Sequence, residues 1–360
     1  MTKPIAIIGA GGFVGARFIE RAELLGDISL VPIVRSSRSQ GRLARFGKRT
    51  VVGDAGDPAS LVPLIQGCGM VVNLTTGDDQ RAVSDAQSIH TACQQADVPL
   101  FVHTSSAEVF GRAEAPDLTD DSFPGDEHWM VYAQAKTAAE AWLRSQSDGP
   151  VKVVILRPGL IWGPGSGWLV NPARELINGT AYLFDDGRGI CNLIHVDNLI
   201  EHLVQLGKSP HPESGVFNVA DSETISWADF YGAIAREVGV DPSTIWQLEP
   251  MEFRDSRMRA ILNIAPARAL KRRMSGDTKG RLKQQLNDWL SPPISEAQPI
   301  VPKPTVDKQI WWLQGTPKKL PSTAFAERYP DLQLRPFEDL ISAAGQWLRY
   351  AGFEHPDARG

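Results

Sequence analysis

The chain has 360 residues, of which 42% are hydrophobic and 22% charged, and it carries a net charge of −5. This composition supports one or two folded domains and excludes wholesale disorder. The acidic balance argues against non-specific nucleic-acid binding by the whole chain. Cys68, Cys93 and Cys191 stand far apart, with no metal spacing among them. They predict a reducing compartment, no disulfide framework and no metal. The apolar stretch before Gly9 is too short for a signal peptide. No run of about 18 apolar residues occurs, so no spanning helix is expected and the location predicted is cytoplasmic.

Strand and helix signals alternate from the start. Pro4–Ile8 is a short apolar strand, and Phe13–Leu25 has helical periodicity. Ile28–Val34, Thr50–Val52 and Met70–Leu74 read as strands. Pro58–Ile65 reads as a helix opened by Asp57. A polar helix over Asp78–Ala96, a strand over Leu100–His103, a helix over Val131–Ser145 and a strand over Val151–Leu156 follow. Apolar strands separated by helices imply a parallel sheet covered on both faces. After Pro158 the pattern loosens into a loop at Gly163–Gly167. Strands are predicted at Leu193–Val196 and Val216–Val219, and helices at Asn198–Leu206 and Trp227–Val238. Ser291–Pro304 holds five prolines and reads as a linker or surface loop. A last helix, Phe337–Tyr350, aligns Leu340, Ile341, Ala344, Trp347 and Leu348 in one apolar stripe.

Gly9, Gly12 and Gly15 punctuate the first strand-to-helix turn. The first permits a tight turn. The second lets a pyrophosphate approach the backbone, and the third lets the helix pack on the strand. The helix start at Phe13 and Val14 offers free N–H groups and a positive dipole end. This predicts dinucleotide binding. The second strand ends Val34-Arg35-Ser36-Ser37-Arg38, with no acid to take a ribose hydroxyl. Arg35, and Arg38 after it, therefore predict NADP, with NAD as the alternative.

Tyr132 and Lys136 stand four residues apart, on one face of a helix. An ammonium beside a phenol favours the phenolate, so the pair could move a proton at a substrate oxygen. Thr104-Ser105-Ser106-Ala107-Glu108-Val109-Phe110-Gly111 precedes the pair, at the end of a buried strand. In open α/β sheets ligands bind at such ends. Together with Gly53-Asp54, Asn73-Leu74-Thr75, Leu156-Arg157-Pro158-Gly159 and Ile194-His195-Val196-Asp197, these motifs resemble the extended short-chain dehydrogenase/reductases, the NAD-dependent epimerase/dehydratase family. The likeness covers about residues 4–240.

The resemblance implies a Rossmann-type, doubly wound parallel sheet over 1–165, with 190–225 returning to it. A smaller C-terminal substrate-binding α/β region would occupy 166–360. It implies that Ser106 holds the substrate oxygen, Tyr132 is the acid/base, and Lys136 also holds the nicotinamide ribose. Asp54 would take the adenine amino group, Thr75 would line the cofactor, and Pro158 would sit against the nicotinamide. His195, His90 and His103 read as structural. Many relatives are dimers, with the 78–96 and Tyr132 helices as candidate contacts here.

The family's sugar-nucleotide dehydratases carry Asp-Glu after the active-site hydroxyl, whereas Ala107-Glu108 stands here. Arg157-Pro158-Gly159 looks more like reductases and 3β-hydroxysteroid-type dehydrogenases. Between Arg254 and Lys283, ten basic residues face only Asp255 and Asp277, a local charge of +8. That segment suits a nucleotide diphosphate. With Met258, Ile261, Leu262 and Ile264 it equally suits an anionic membrane surface, or it is a solvated face. Trp311-Trp312 could cover a substrate lid or form an oligomer contact. The expected function is hydride transfer at a secondary alcohol or ketone of a nucleotide sugar. The alternatives are a dehydrogenase or reductase of an apolar hydroxyl/keto compound, and a non-catalytic NADP-binding regulator.

Overall fold

The computed structural model describes residues 3–47, 50–111, 118–123, 128–249 and 302–354. The basic stretch 254–283 and most of the proline-rich stretch 291–304 lie outside the described residues.

The elements run β1 (Ile5–Ile8), α1 (Phe13–Leu25), β2 (Leu30–Val34), α2 (Ser37–Leu43), β3 (Val51–Val52), α3 (Pro58–Ile65), β4 (Met70–Asn73), α4 (Ala82–Gln95), β5 (Leu100–Thr104), α5 (Val131–Arg144) and β6 (Lys152–Pro158). Then come β7 (Leu160–Trp162), α6 (Gly167–Ile177), β8 (Tyr182–Phe184), β9 (Leu193–His195), α7 (Val196–Lys208), β10 (Gly215–Val219), α8 (Trp227–Glu237) and β11 (Trp246–Leu248). The described chain closes with α9 (Lys308–Gln314), α10 (Ala324–Arg328) and α11 (Phe337–Tyr350).

Seven strands form one parallel sheet in the order β10-β6-β5-β4-β1-β2-β3. The order reverses between β1 and β4. A crevice opens at such a switch point, outside the carboxyl ends of the strands. β1, β4 and β5 are buried at every position, because helices cover both faces. Phe18, Ile19, Leu199 and Leu203 fill one face; Leu61, Ile89, Ala139 and Leu143 fill the other. A separate core joins Trp162, Leu169, Phe230 and Leu340. Within it the stripe of α11 docks on α8, burying Leu340, Ile341, Ala344 and Leu348.

Local chemistry explains most element ends. The Asp57 side chain caps α3 by accepting the Ala59 N–H (3.1 Å), with Pro58 at the first helical position. Three boundaries differ from the sequence expectation. The helix expected from Asp78 opens with a 3₁₀ turn, Asp79–Arg81, and turns α-helical at Ala82. Arg38 lies on α2 rather than in a loop; that short polar helix lacks an apolar stripe and buries Leu43. α6 begins inside the loosened region, capped by Ser166, and its internal Pro172 disguises the periodicity.

Arg17 on α1 holds Asp197 on α7 through two bonds, Nε–Oδ1 at 2.6 Å and Nη2–Oδ2 at 2.9 Å. His195 caps α7 by accepting the Asp197 N–H at Nδ1 (3.1 Å), and its ring meets Trp162 edge-on at 4.8 Å. Burial lowers His195, and likewise His202, to about 4. Both bind a proton less readily folded than unfolded, so they oppose folding as pH falls from about 6.5 towards 4. Buried Asp221, pushed up to about 6, works the other way. It keeps its proton folded where the unfolded chain has lost it, and so favours folding more at lower pH. Burial also lowers His90 and His103 and raises Asp85, Asp120 and Glu175; with four lowered histidines and only Asp221 raised as far as about 6, a falling melting temperature is predicted between about pH 6.5 and 4. A flat thermal-unfolding profile across that window would contradict this balance.

Candidate functional site

A cleft of about 340 Å³ opens at the switch point. Gly9 and Gly12 after β1, Arg35 after β2, Asp54 after β3 and Thr75 after β4 line it. Gly9 has φ +90°, and a Cβ there would stand 2.9 Å from the Leu74 carbonyl carbon. A Cβ on Gly15 would lie 2.7 Å from Ala10 Cα, so only glycine allows α1 so close to the turn. Gly12 is the N-cap of α1 and offers no capping side chain. The first intrahelical bond runs from Ala16 N–H to Gly12. The N–H groups of Phe13, Val14 and Gly15 therefore have no partner within the helix, which suits a pyrophosphate. The side chains of Phe13 and Val14 pack on the core instead. The crevice and its uncapped helix start fit a dinucleotide.

At the rim Arg35 is exposed and lines the cleft. From α2 the lining residue is Ser39, while Arg38 is exposed. Asp54 lines the cleft but is not free: its Oδ1 accepts the Gly56 N–H (3.0 Å) and pairs with Arg81. These contacts hold its carboxyl below the usual range. Thr75 donates its N–H (3.0 Å) and hydroxyl (2.7 Å) to Asn73 Oδ1, and Asn73 reaches buried His103 at 3.2 Å.

Tyr132 and Lys136 line the inner end of the cleft. Buried Lys136 donates to the Thr104 carbonyl (2.8 Å), and its ammonium lies 5.9 Å from the Tyr132 ring centre. Burial brings Lys136 down to about 8. Spacing alone implies a lowered Tyr132; in the folded protein it is raised. Burial is the main cause, the neighbouring Ser106 hydroxyl partly offsets it, and the charges of Glu108 and Asp79 add to it.

Ser106 faces a second, smaller cavity of about 50 Å³, shared with Glu108, Pro158, Leu160, Leu313 and Leu320. Tyr132 lines the first space and its neighbour Ser106 the second, so the two adjoin there. Glu108 is buried, with Oε1 3.4 Å from Nε2 of buried His128. Neither atom completes a hydrogen bond among the described residues. His128 Nδ1 accepts the Met130 N–H (3.0 Å), so its ring proton sits on Nε2, towards Glu108. Trp312 packs edge-on against His128, ring centres 6.0 Å apart, and Leu313 beside it closes the cavity. Trp312 thus packs behind His128, next to the cavity-lining Leu313.

Sequence reading missed Arg81, Asp79 and His128. The i,i+4 spacing of Arg81 and Asp85 was the available signal for the first. Among the described residues no cluster of His, Cys, Asp or Glu is placed to hold a metal, and no helix is long and apolar enough to cross a membrane.

The chain is 26% identical over 266 residues to a UDP-glucose 4-epimerase of Vibrio cholerae, covering 69% of this chain and 79% of that one. It is 28% identical over 210 residues to a 2-alkyl-3-oxoalkanoate reductase of Stenotrophomonas maltophilia, covering 54% and 62%. Among solved structures, a nucleoside-diphosphate-sugar epimerase from Pseudomonas aeruginosa matches with a TM-score of 0.65 at 21% identity, covering 98% and 99%. A dTDP-glucose 4,6-dehydratase from Streptomyces venezuelae, solved with NAD, matches at 0.65 and 15% identity, covering 98% and 99%. These two show a shared fold. The model of the NAD dependent epimerase/dehydratase family matches residues 5–220. That match spans more than half of the chain and takes in every strand of the seven-stranded sheet, and the chain belongs to the NAD dependent epimerase/dehydratase family.

Proposed function

We propose that the chain is an NADP-dependent oxidoreductase or epimerase acting on a secondary alcohol or ketone of a nucleotide sugar, with Tyr132 as acid/base. One observation carries this reading: Tyr132 at the inner end of the dinucleotide cleft neighbours Ser106, which lines the small cavity. The nicotinamide cofactor supplies the hydride acceptor or donor. Tyr132 gives or takes the proton on the substrate oxygen, and Ser106 holds that oxygen in reach. At about 8, Lys136 is still largely an ammonium at neutral pH and favours the phenolate. Gly9, Gly12 and the N–H groups of Phe13, Val14 and Gly15 cradle the pyrophosphate. Thr75 and Pro158 flank the nicotinamide end. Asp54 takes the adenine amino group.

Glu108 supports a sugar. A buried acceptor whose hydrogen bond is not completed costs about 1–3 kcal/mol, and a sugar brings hydroxyls to satisfy it better than His128 at 3.4 Å does. The remaining lining supports a second reading, reduction of an apolar keto compound. Pro158, Leu160, Ile190, Leu313 and Leu320 surround the cavity, and among the described residues no cation lines it. Calorimetric titration of the cofactor-loaded protein separates the two. Binding of UDP- or dTDP-hexoses and not of a long-chain 3-oxo compound is expected; the reverse selects the second reading.

Arg35 at the cleft rim, with no acid ending β2, supports the 2′-phosphate. A charge-assisted hydrogen bond contributes about 1.5–3 kcal/mol, so Arg35→Ala should cut NADPH affinity roughly 10- to 100-fold and leave NADH affinity near wild type. An unchanged NADPH-to-NADH preference would remove the assignment.

A further inference from the structure

Asp54 is held in place by a side chain from the far wall of the cleft. Arg81 precedes α4, and its Nε and Nη2 reach Asp85 Oδ1 one turn on, at 3.1 and 3.0 Å. Asp85 is buried, so the guanidinium is anchored on its own helix. The same Nη2 pairs across the cleft with Asp54 Oδ1. Gly56 N–H donates to that oxygen too (3.0 Å). A Cβ on Gly56 would stand 2.5 Å from Arg81 Nη2, so a larger residue there would shift the guanidinium from this position. Oδ1 is thereby committed to protein donors. Oδ2 makes no hydrogen bond among the described residues, on a side chain that lines the cleft and is 48% exposed.

We infer that Arg81 is a positioning residue that fixes the Asp54 carboxylate with Oδ2 free, and so sets selectivity for adenine over bases lacking its exocyclic amino group. This rests on the proposed contact of Asp54 with that amino group. A freely rotating aspartate could turn either oxygen, or neither, to the base. A carboxylate pinned at Oδ1 by a planar fork and a backbone N–H presents one acceptor in one direction.

The test is a pair of dissociation constants, for NADPH and for its hypoxanthine analogue, read from protein fluorescence. The analogue replaces the amino donor by a carbonyl acceptor, which an oriented carboxylate repels. Wild type should bind NADPH roughly tenfold or more tighter than the analogue. Asp54→Asn should bring the ratio near one, since an amide can serve either base. Arg81→Ala should also bring it near one, and Arg81→Lys should restore part of it, keeping the charge without the fork. If Arg81→Ala does not fold, Arg81→Gln carries the same test. A wild-type ratio near one overturns the adenine contact, and the inference with it. A wild-type preference abolished by Asp54→Asn but kept by Arg81→Ala overturns the inference alone. So does an Arg81→Ala protein that loses both ligands equally, because that marks direct contact or general damage.

Discussion

Arg157→Met should destabilise the fold by about 3–5 kcal/mol, the cost of leaving a buried charge without its partner. Arg157 and Glu140 are both fully buried. Arg157 Nε lies 3.0 Å from each Glu140 oxygen, and Nη2 lies 2.6 Å from Oε2. Nη1 donates to the carbonyls of Asp120 (3.0 Å) and Ser122 (3.1 Å), and the guanidinium lies over Phe110 at 4.6 Å. Glu140 also accepts the Ser105 hydroxyl. Methionine fills the volume but strands Glu140 and two carbonyls. Against a total stability of about 5–15 kcal/mol, that loss is large. Adding Glu140→Leu should recover most of it, because the stranded charge goes too. Urea unfolding of wild type and the two variants measures this, and a single variant within about 1 kcal/mol of wild type would contradict it. Ser105 and Phe110 flank Ser106 and Glu108, so the single variant should also disturb the site.

Tyr132→Phe should lower turnover roughly 10²- to 10⁴-fold while cofactor affinity stays within about twofold, the signature of a lost proton-transfer group. Phenylalanine keeps the ring that packs beside Lys136 and removes the hydroxyl that neighbours Ser106. The raised Tyr132 strengthens this expectation. Its deprotonation is opposed by burial and by Glu108 and Asp79, so the phenol is a proton donor at neutral pH unless Lys136 and Ser106 offset them. Turnover retained in Tyr132→Phe would remove Tyr132 from the chemistry.

The glycine turn was legible because steric rules act locally: Gly9 and Gly15 admit no Cβ, and that demand is written in three nearby letters. Tyr132 and Lys136 were legible because helical spacing puts them on one face. The pairing of Ser106 with Tyr132, 26 residues apart, rested on their order along a sheet and not on a local pattern. Arg81 with Asp54 and Glu108 with His128 were hidden for the same reason: two loops meet only after the sheet has formed. The sign of the Tyr132 shift was also out of reach, since spacing reports a neighbouring ammonium but not how far burial outweighs it. α2 was hidden because a short polar helix has no apolar period to read.

Adding UDP- and dTDP-hexoses to the NADP⁺- or NAD⁺-loaded protein, and watching the absorbance of reduced nicotinamide, tests hydride transfer at this site most directly. The expected result is reduced nicotinamide, or the epimerised sugar with no net change in the cofactor, formed from at least one nucleotide sugar in wild type and absent in Tyr132→Phe. A signal only when NADPH-loaded protein meets apolar ketones would move the substrate to the second reading. A protein that binds the cofactor yet changes absorbance with neither panel, and converts no nucleotide sugar to its epimer, would contradict hydride transfer at this site.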